Sequence, residues 1–438
     1  MNANLDPQNS TQPEQLRIAM VAPSRITFDG VLSRRANTLQ VLKMTQALTK
    51  LGHNVHLIVP EKCPYQLFPL AKQDIEKSIW ENLSYHYGLQ YRFPIKWIPA
   101  IPGFRSYDFS LCAVLWALRW NADFIYTRLP QAAAIASSIG LPTILETHDF
   151  PQGNFGPRII NRFLRGRGAF RWVVITQALA SDLLQKHVPP SHSSFIVIAP
   201  DGVDLERYSP SLESVDARIE LINQIPSADY LMQECKIPLH NCLNLNRFIV
   251  GYTGHLYEGR GTELLLKLAM CLPEVTFLIV GGEEKDVSRF QADMKLKDLE
   301  NIILTGFVPN TVLSKYQAAC DVLIMPYQQR VAASSGGDIS RYLSPMKLFE
   351  YMACQRVVVS SNLPVLQEVL NSQNSVLLSG EEVDEWASAL NELQNNPGKR
   401  RKLAAKAYED VQRYTWEKRV EWILKVHKGP SNQKRYNQ

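Results

Sequence analysis

Apolar positions along this chain alternate between short continuous runs and a three-and-four spacing, the signature of buried strands interleaved with helices. Residues 16–22 (LRIAMVA) read as a first strand. Val41, Met44, Leu48 and Leu51 then form one stripe of a helix over about 36–51, which Gly52 terminates before a second strand at 55–59. The loop between them runs through Phe28, Asp29 and Gly30 and carries Arg34 and Arg35. It closes a βαβ unit and lies at the carboxyl end of a strand, where open α/β sheets bind ligands. From 61 to 120 the pattern is irregular and rich in aromatics and proline, which predicts a variable cap or a substrate-facing insertion. Regularity returns with strands at 124–127, 143–146, 172–175 and 195–199 and a helix over 131–139; the second of these strands ends in Thr147-His148-Asp149.

Residues 211–246 lack strand pattern and predict a linker with helical pieces. A second series follows, with strands at 248–253, 276–280, 302–305 and 322–325, and helices over 262–272, 311–319, about 381–393 and 399–413. Within it, 344–362 (SPMKLFEYMACQRVVVSSN) divides into a turn, a helix and a strand. Ser344 is placed to cap the helix and Pro345 to occupy its first position. Met346, Phe349, Met352 and Ala353 face a core, while Lys347 and Glu350 share another face. Val357, Val358 and Val359 read as a strand buried on both sides, as in a parallel sheet. Two doubly wound domains facing one another across a cleft is the economical α/β reading.

Composition narrows the class. A chain of 438 residues, 45% hydrophobic and 20% charged, has room for two or three globular domains. A net charge of +5 is small for that length and argues against a nucleic-acid binder. Seven scattered cysteines without a C-x-x-C pair, the nearest two being Cys235 and Cys242, fit reduced thiols in a cytosol. Residues 1–15 are polar and read as a disordered tail without a signal-peptide core. The longest apolar runs, at 111–118 and 132–141, are too short to span a bilayer and read as core helices. The expectation is a cytoplasmic protein, soluble or at most peripheral on a membrane surface.

Two stretches carry chemistry. A helix N-terminus after Ser344 concentrates free amides, and Lys347 in its first turn adds a cation. Taken alone, Lys347 and Glu350 read rather as a solvated surface pair. The loop 253–261 (TGHLYEGRG) adds Gly254, where a ligand can approach the backbone, and Gly259 and Gly261, which permit an unusual turn before a helix. Arg260 there offers a planar, permanent cation. Two cations and two helix N-termini on one domain specify a dianionic or pyrophosphate ligand. No G-x-G-x-x-G follows a strand, which puts a plain dehydrogenase last among the readings, and no D-x-D pair offers magnesium ligands, so no metal is expected. His148 is either a cleft group or a buried strand-end residue. Arg158, Arg162, Arg165, Arg167 and Arg171 lie among Phe155, Ile159, Ile160, Phe163, Leu164, Phe170 and Trp172 with no acidic residue between. That segment either rests on an anionic bilayer or packs its apolar side inward.

Read together, these motifs resemble the GT-B-fold glycosyltransferases of the large retaining family 4 (glycosyl transferases group 1). The resemblance runs from the strand and loop at 17–30 through GHNVHLIV, ETHDF, VVIT and APDGVDLERYSP, then GYTGHLYEGRG, LTGFVPN, YQAACDVLIMPY and SPMKLFEYMA, to YTWEKRVEWIL. It implies an acceptor-binding domain over 16–210, the linker at 211–246, a nucleotide-sugar-binding domain over 247–414, and a last helix in 415–438 crossing back to the first domain. By resemblance, Gly254 and Arg260 hold a diphosphate with help from Lys347 and the Ser344-Pro345 helix start. Glu350 meets the ribose, the backbone near Val308 meets the base, His148 contacts the donor sugar, and Gly30 lets its loop lie close to diphosphate or acceptor. His148, Arg260 and Lys347 would be the catalytic groups. The implied reaction moves a sugar from a UDP- or GDP-sugar co-substrate to a hydroxyl of a sugar, lipid-linked or small-molecule acceptor, with retention and no further cofactor. The family's first glutamate, counted back from Glu350, is here Tyr342, and His255 replaces the cation often found after the first loop glycine. Those departures keep open a second reading, a silent nucleotide-sugar-binding subunit of a sugar-assembly complex.

Overall fold

The computed structural model describes residues 15–28, 31–61, 72–101, 103–151, 153, 155–186, 188, 195–208, 213–224, 245–332, 337–379 and 382–425. The expectations for Gly30, for the tail up to residue 14, for Cys235 and Cys242, and for the chain beyond 425 lie outside them.

The first half builds a parallel sheet from β1 (Arg17–Val21), β4 (Asn54–Glu61), β5 (Ile95–Pro99), β6 (Phe124–Thr127), β7 (Thr143–Thr147), β8 (Ala169–Val174) and β9 (Ile196–Ile198), in the order β5-β4-β1-β6-β7-β8-β9. A small hairpin, β2 (Thr27–Phe28) and β3 (Val31–Leu32), precedes the first helix. The second sheet is built from β10 (Ile249–Thr253), β11 (Thr276–Val280), β12 (Ile302–Leu304), β13 (Val322–Met325), β14 (Val357–Ser361) and β15 (Ser375–Leu378), in the order β12-β11-β10-β13-β14-β15. Strand order reverses beside β1 and beside β10, so in each sheet a crevice opens at the carboxyl end of the first strand. Helices cover both faces of each sheet. That is why β11 (TFLIV) and β14 (VVVSS) are buried at every position, as the continuous apolar runs predict.

The helices of the first half are α1 (Ala36–Lys50), α2 (Lys72–Tyr87), α3 (Tyr107–Arg119), α4 (Pro130–Ser138), α5 (Gly156–Arg165) and α6 (Gln177–Lys186). After α7 (Ser214–Gln224), the second half carries α8 (Thr262–Cys271), α9 (Glu284–Leu296), α10 (Asn310–Ala318), α11 (Met346–Ala353), α12 (Val383–Asn395), α13 (Pro397–Val411) and α14 (Trp416–Leu424). The single apolar stripe read for α1 understates its burial. Gln40, Lys43 and Gln46 are buried as well, because each finds a polar partner. Lys43 Nζ donates to Gly88 O at 2.7 Å and pairs with Asp204 at 2.6 Å, and Gln46 Oε1 accepts the Gln90 amide at 2.6 Å.

Three expectations are corrected. The described residues between 61 and 120 are not an irregular insertion: α2, β5 and α3 extend the first domain, with β5 pairing parallel to β4 at the sheet edge. An edge strand tolerates the prolines that disguised it, Pro94 just before it and Pro99 at its end. The run 111–118 is not a simple core helix. On α3 the buried face is Phe109, Ala113, Val114 and Ala117, while Leu111, Leu115 and Leu118 are 41–48% exposed. Of the expected linker, α7 docks on the second domain. Leu221 is fully buried in that domain's core, Arg218 Nε donates to Ala319 O at 2.8 Å, and Arg218 pairs with Asp321 at 2.5 Å. Its remainder, 225–244, is outside the described residues. Among the elements that the pattern did not predict, α9 buries only Val287 and Phe290, and β15 is four residues long. The last helix, α14, packs Trp416, Val420 and Ile423 into the core that also holds Ile18, Met20, Val41 and Leu48.

Candidate functional site

The carboxyl ends of β10, β11, β13 and β7 converge on one cleft of about 440 Å³ between the two domains. Its wall includes His148, Gly254, Arg260, Val308, Ser344, Pro345, Lys347 and Glu350, which are the described residues to which the sequence resemblance gave a donor or catalytic role. The size suits a nucleotide-sized ligand.

The glycine loop owes its course to backbone that a side chain would block. At Gly259 and Gly261, both at φ +81°, a Cβ would lie 2.1 Å from the carbonyl oxygens of Arg330 and Pro326. Gly254, at φ +132°, gives its own N–H to Val280 O at 2.8 Å. It therefore contributes room rather than a donor. Arg260 follows with its guanidinium 5.2 Å from the centre of the Tyr327 ring and Nη1 donating to the Tyr327 hydroxyl at 3.2 Å. Its Nε is buried without a partner.

Lys347 comes from the first turn of α11. Its Nζ donates to Thr253 O at 3.1 Å and sits 3.9 Å over the Tyr252 ring. Burial, reinforced by Arg260, holds its pKa well below the usual lysine range, although Glu350 acts the other way. Neither Arg260 nor Lys347 makes an ion pair with a carboxylate among the described residues. Glu350 is 9% exposed and accepts from Gln317 Nε2 at 2.9 Å, and Gln317 also donates to Thr253 Oγ1. Lys347 and Glu350 are thus not a solvated surface pair.

The helix start differs from its expectation. Pro345, in extended conformation, precedes α11 as its cap residue, and no side chain caps the helix. Ser344 Oγ instead accepts the Asp201 N–H at 3.5 Å, across the domain boundary. Pro345, Met346 and Lys347 at the start of α11 still line the cleft, and no side chain caps the helix's first amides.

On the first-domain side, His148 Nε2 meets Glu146 Oε1 at 2.5 Å. Glu146 is fully buried, yet its pKa is driven far below the usual carboxylate range by Arg419, the His148 hydrogen bond and Arg128, against the cost of burial. His148 is pushed down by burial and by Arg128. Ligand atoms of Glu146, His148 and Asp201 lie within 4.8 Å of one another. A cation there would have to displace Arg419 and Tyr126 from Glu146, so the donor set reads as an ion-pair network rather than a metal site. Beside Val308, His86 stacks on Phe307 with ring centres 4.9 Å apart, and the Arg34 guanidinium lies 4.5 Å from the centre of the Phe307 ring. His86, Phe307, Tyr327, Glu146 and Arg419 were not picked out from the sequence. Glu146 stands two residues before His148 on one strand and carried a local signal; Arg419, far along the chain, carried none.

The basic segment splits. α5 buries Ile160 and Phe163 and exposes Arg158, Arg162 and Arg165 around a surface groove with Arg167. Arg171 leaves that face: it is buried on β8 and donates to the carbonyls of Ile423 and Lys425. No helix among the described residues is long and apolar enough to cross a membrane.

Comparison with known proteins agrees with this geometry. Residues 39–207 match the family model "Glycosyltransferase Family 4", and 247–396 match "Glycosyl transferases group 1". A D-inositol 3-phosphate glycosyltransferase of Corynebacterium urealyticum is 25% identical over 272 residues, 59% of this chain and 56% of that protein. An alpha-galactosylglucosyldiacylglycerol synthase of Streptococcus pneumoniae is 23% identical over 251 residues, 56% of this chain and 57% of that protein. The chain spans about half the length of these curated relatives. The crystal structure of Anabaena Alr3699/HepE with UDP and glucose superposes with a TM-score of 0.64 at 18% identity, covering 94% of this chain and 99% of that one. The paired sheets, the cleft between them and the two family models together make this chain a GT-B-fold member of the glycosyltransferase family 4/group 1 family.

Proposed function

We propose that the protein transfers a sugar from a nucleoside-diphosphate sugar, a UDP- or GDP-sugar, to an acceptor hydroxyl. The observation that carries this reading is the pair of cations, Arg260 and Lys347, held over Tyr327 in the cleft without a carboxylate partner among the described residues. A diphosphate satisfies both, and Gly254 leaves it space. Glu350 is placed to accept from ribose hydroxyls, and the backbone at Val308 to meet the base. As the glycosidic bond breaks, charge builds on the β-phosphate, and fixed cations stabilise that charge most at the transition state. No metal is assigned a role. The acceptor then enters from the first-domain side, beside His148, by front-face attack with the leaving phosphate taking its proton, which retains the anomeric configuration.

The test is thermal-shift binding of UDP, GDP and ADP and their common sugars to the wild type, Glu350→Ala and Lys347→Ala. One nucleotide family stabilises the wild type, and each variant loses at least tenfold in apparent affinity, about 1.4 kcal/mol. Transfer with the selected donor gives a product whose anomeric configuration, read by NMR, matches the donor. Inverted product would end the retaining mechanism, and no stabilisation by any nucleotide would turn the reading to a silent subunit.

A second feature bears on the acceptor. The arginine face of α5 and the outward leucines of α3 belong to one helical layer, α3 against α4 and α4 against α5. We read that layer as a surface for an anionic bilayer, which would bring a lipid-linked acceptor to the cleft.

A further inference from the structure

Glu146 is a saturated acceptor. Oε1 takes hydrogen bonds from Gln40 Nε2 at 2.8 Å, Arg419 Nη2 at 2.9 Å and His148 Nε2 at 2.5 Å; Oε2 takes the Tyr126 hydroxyl and Arg419 Nη1, the latter at 3.3 Å. Arg419 is itself fully engaged, with Nε on Pro200 O at 2.8 Å and Nη2 also on Ala199 O at 3.0 Å. Both side chains are almost completely enclosed, at 0% and 3% exposure. Glu146 comes from the end of β7, Arg419 from α14, and His148 from the loop after β7 that reaches the cleft. The other charged groups facing His148 are Arg128 and Asp201, whose Oδ1 is buried without a partner.

A carboxylate paired with a guanidinium only accepts. The ring nitrogen that meets it must donate. Nε2 therefore carries the hydrogen, and in the neutral imidazole Nδ1 carries the lone pair. We propose that Arg419 and Glu146 are positioning residues that lock His148 as the Nε2–H tautomer, so that the histidine acts in the cleft as an acceptor, through Nδ1, for a hydroxyl of the bound sugar or acceptor. The proposal rests on the glycosyl-transfer reading for its substrate and on the structure alone for its tautomer. It also ties the site to the chain's last described helix: Arg419, which α14 inserts, supplies two of the five hydrogen bonds that Glu146 accepts.

Two measurements test it. Long-range ¹H–¹⁵N correlation on ¹⁵N-histidine-labelled protein, with His148 assigned by His148→Gln, reports which ring nitrogen is protonated. The wild type shows a protonated Nε2 and an unprotonated Nδ1, and Glu146→Gln, with Arg419→Lys as the milder variant, shifts the ring toward a tautomer mixture. An Nδ1–H ring in the wild type, or an unchanged ring in both variants, overturns the proposal. The second measurement is a double-mutant cycle in kcat/KM. Glu146→Gln lowers it by about 10- to 100-fold in the wild type, as for outer partners of other functional histidines, and less than about threefold in a His148→Ala background. Losses that simply multiply mean that Glu146 does not act through His148. If no donor is turned over by the wild type, the glycosyl-transfer reading fails, and the tautomer measurement still decides this one.

Discussion

Lys347 shows how little of a functional residue is local. In sequence it is a lysine in the first turn of a helix, where a cation opposes the helix dipole, so it reads as a mild defect. In the fold it lies against Tyr252 and Tyr327, beside Arg260, with its charge partly stripped of water. An incoming anion relieves both the dipole conflict and the repulsion from Arg260. His86, His148 and His255 show the same enclosure with the same sign: burial pushes all three down, His86 to about 4 with help from Arg34. For a group whose folded pKa lies below its unfolded value of 6.5, the unfolded chain gains the proton first as pH falls. Stability is therefore full above pH 6.5 and declines from there towards pH 4, by at most about 1.4 kcal/mol per pH unit for each proton and less for a partly exposed ring. Urea unfolding at pH 7.5 and 4.5 checks this. His86→Phe keeps the stack on Phe307 and flattens the decline; equal declines in wild type and variant would remove His86 from the account.

At the scale of elements, periodicity served best where helices and strands have one clear face. β11, β13 and β4 lie within a few residues of their expected bounds. Periodicity misjudged α3, because alanines can fill a close helix–sheet contact while leucines at 111, 115 and 118 point to solvent. An apolar run records hydrophobicity, not direction. That outward stripe, with the arginines of α5, gives the bilayer reading its test. Flotation with vesicles of phosphatidylglycerol and phosphatidylcholine recovers the wild type, salt weakens the binding, and Arg162→Glu with Arg165→Glu lowers recovery at least tenfold, as roughly 1 kcal/mol per basic residue implies. Leu111→Ser with Leu115→Ser lowers it further. Recovery from neutral vesicles equal to that from anionic ones, or unchanged in all variants, refutes the bilayer surface.

At the scale of the molecule, the cleft is held together by contacts that sequence reading had no means to pair. Glu368 of the second domain accepts the N–H groups of Gln177 and Ala178 at 2.8 and 3.1 Å, capping α6 of the first. Further along α6, Asp182 accepts from Arg341 at 2.7 Å and from the Tyr342 hydroxyl at 2.5 Å. Tyr342, at the position where the family resemblance led one to expect a glutamate, thus spends its hydroxyl on the other domain and also lines the cleft. Removing this grip with Glu368→Ala and Asp182→Ala should raise the radius of gyration in small-angle X-ray scattering of the unliganded protein and weaken nucleotide binding about three- to tenfold. The effect is modest because Glu368 accepts only backbone N–H groups and the Arg341 side chain is largely solvated. An unchanged radius with unchanged affinity would mean that other contacts set the closure.

What the sequence determined by itself was whatever depends on neighbours along the chain. Two α/β series, their parallel strands, the glycine loop and the cation-bearing helix all follow from periodicity, turn chemistry and spacing within a few residues. Tertiary structure alone decided which distant groups meet. It set Lys347 over Tyr252, drew α7 onto the second domain, buried Arg171 under the end of α14, and carried Arg419 some 270 residues along the chain to Glu146. The physical reason is that burial and pairing energies depend on separation in space, and only the folded sheets fix that separation.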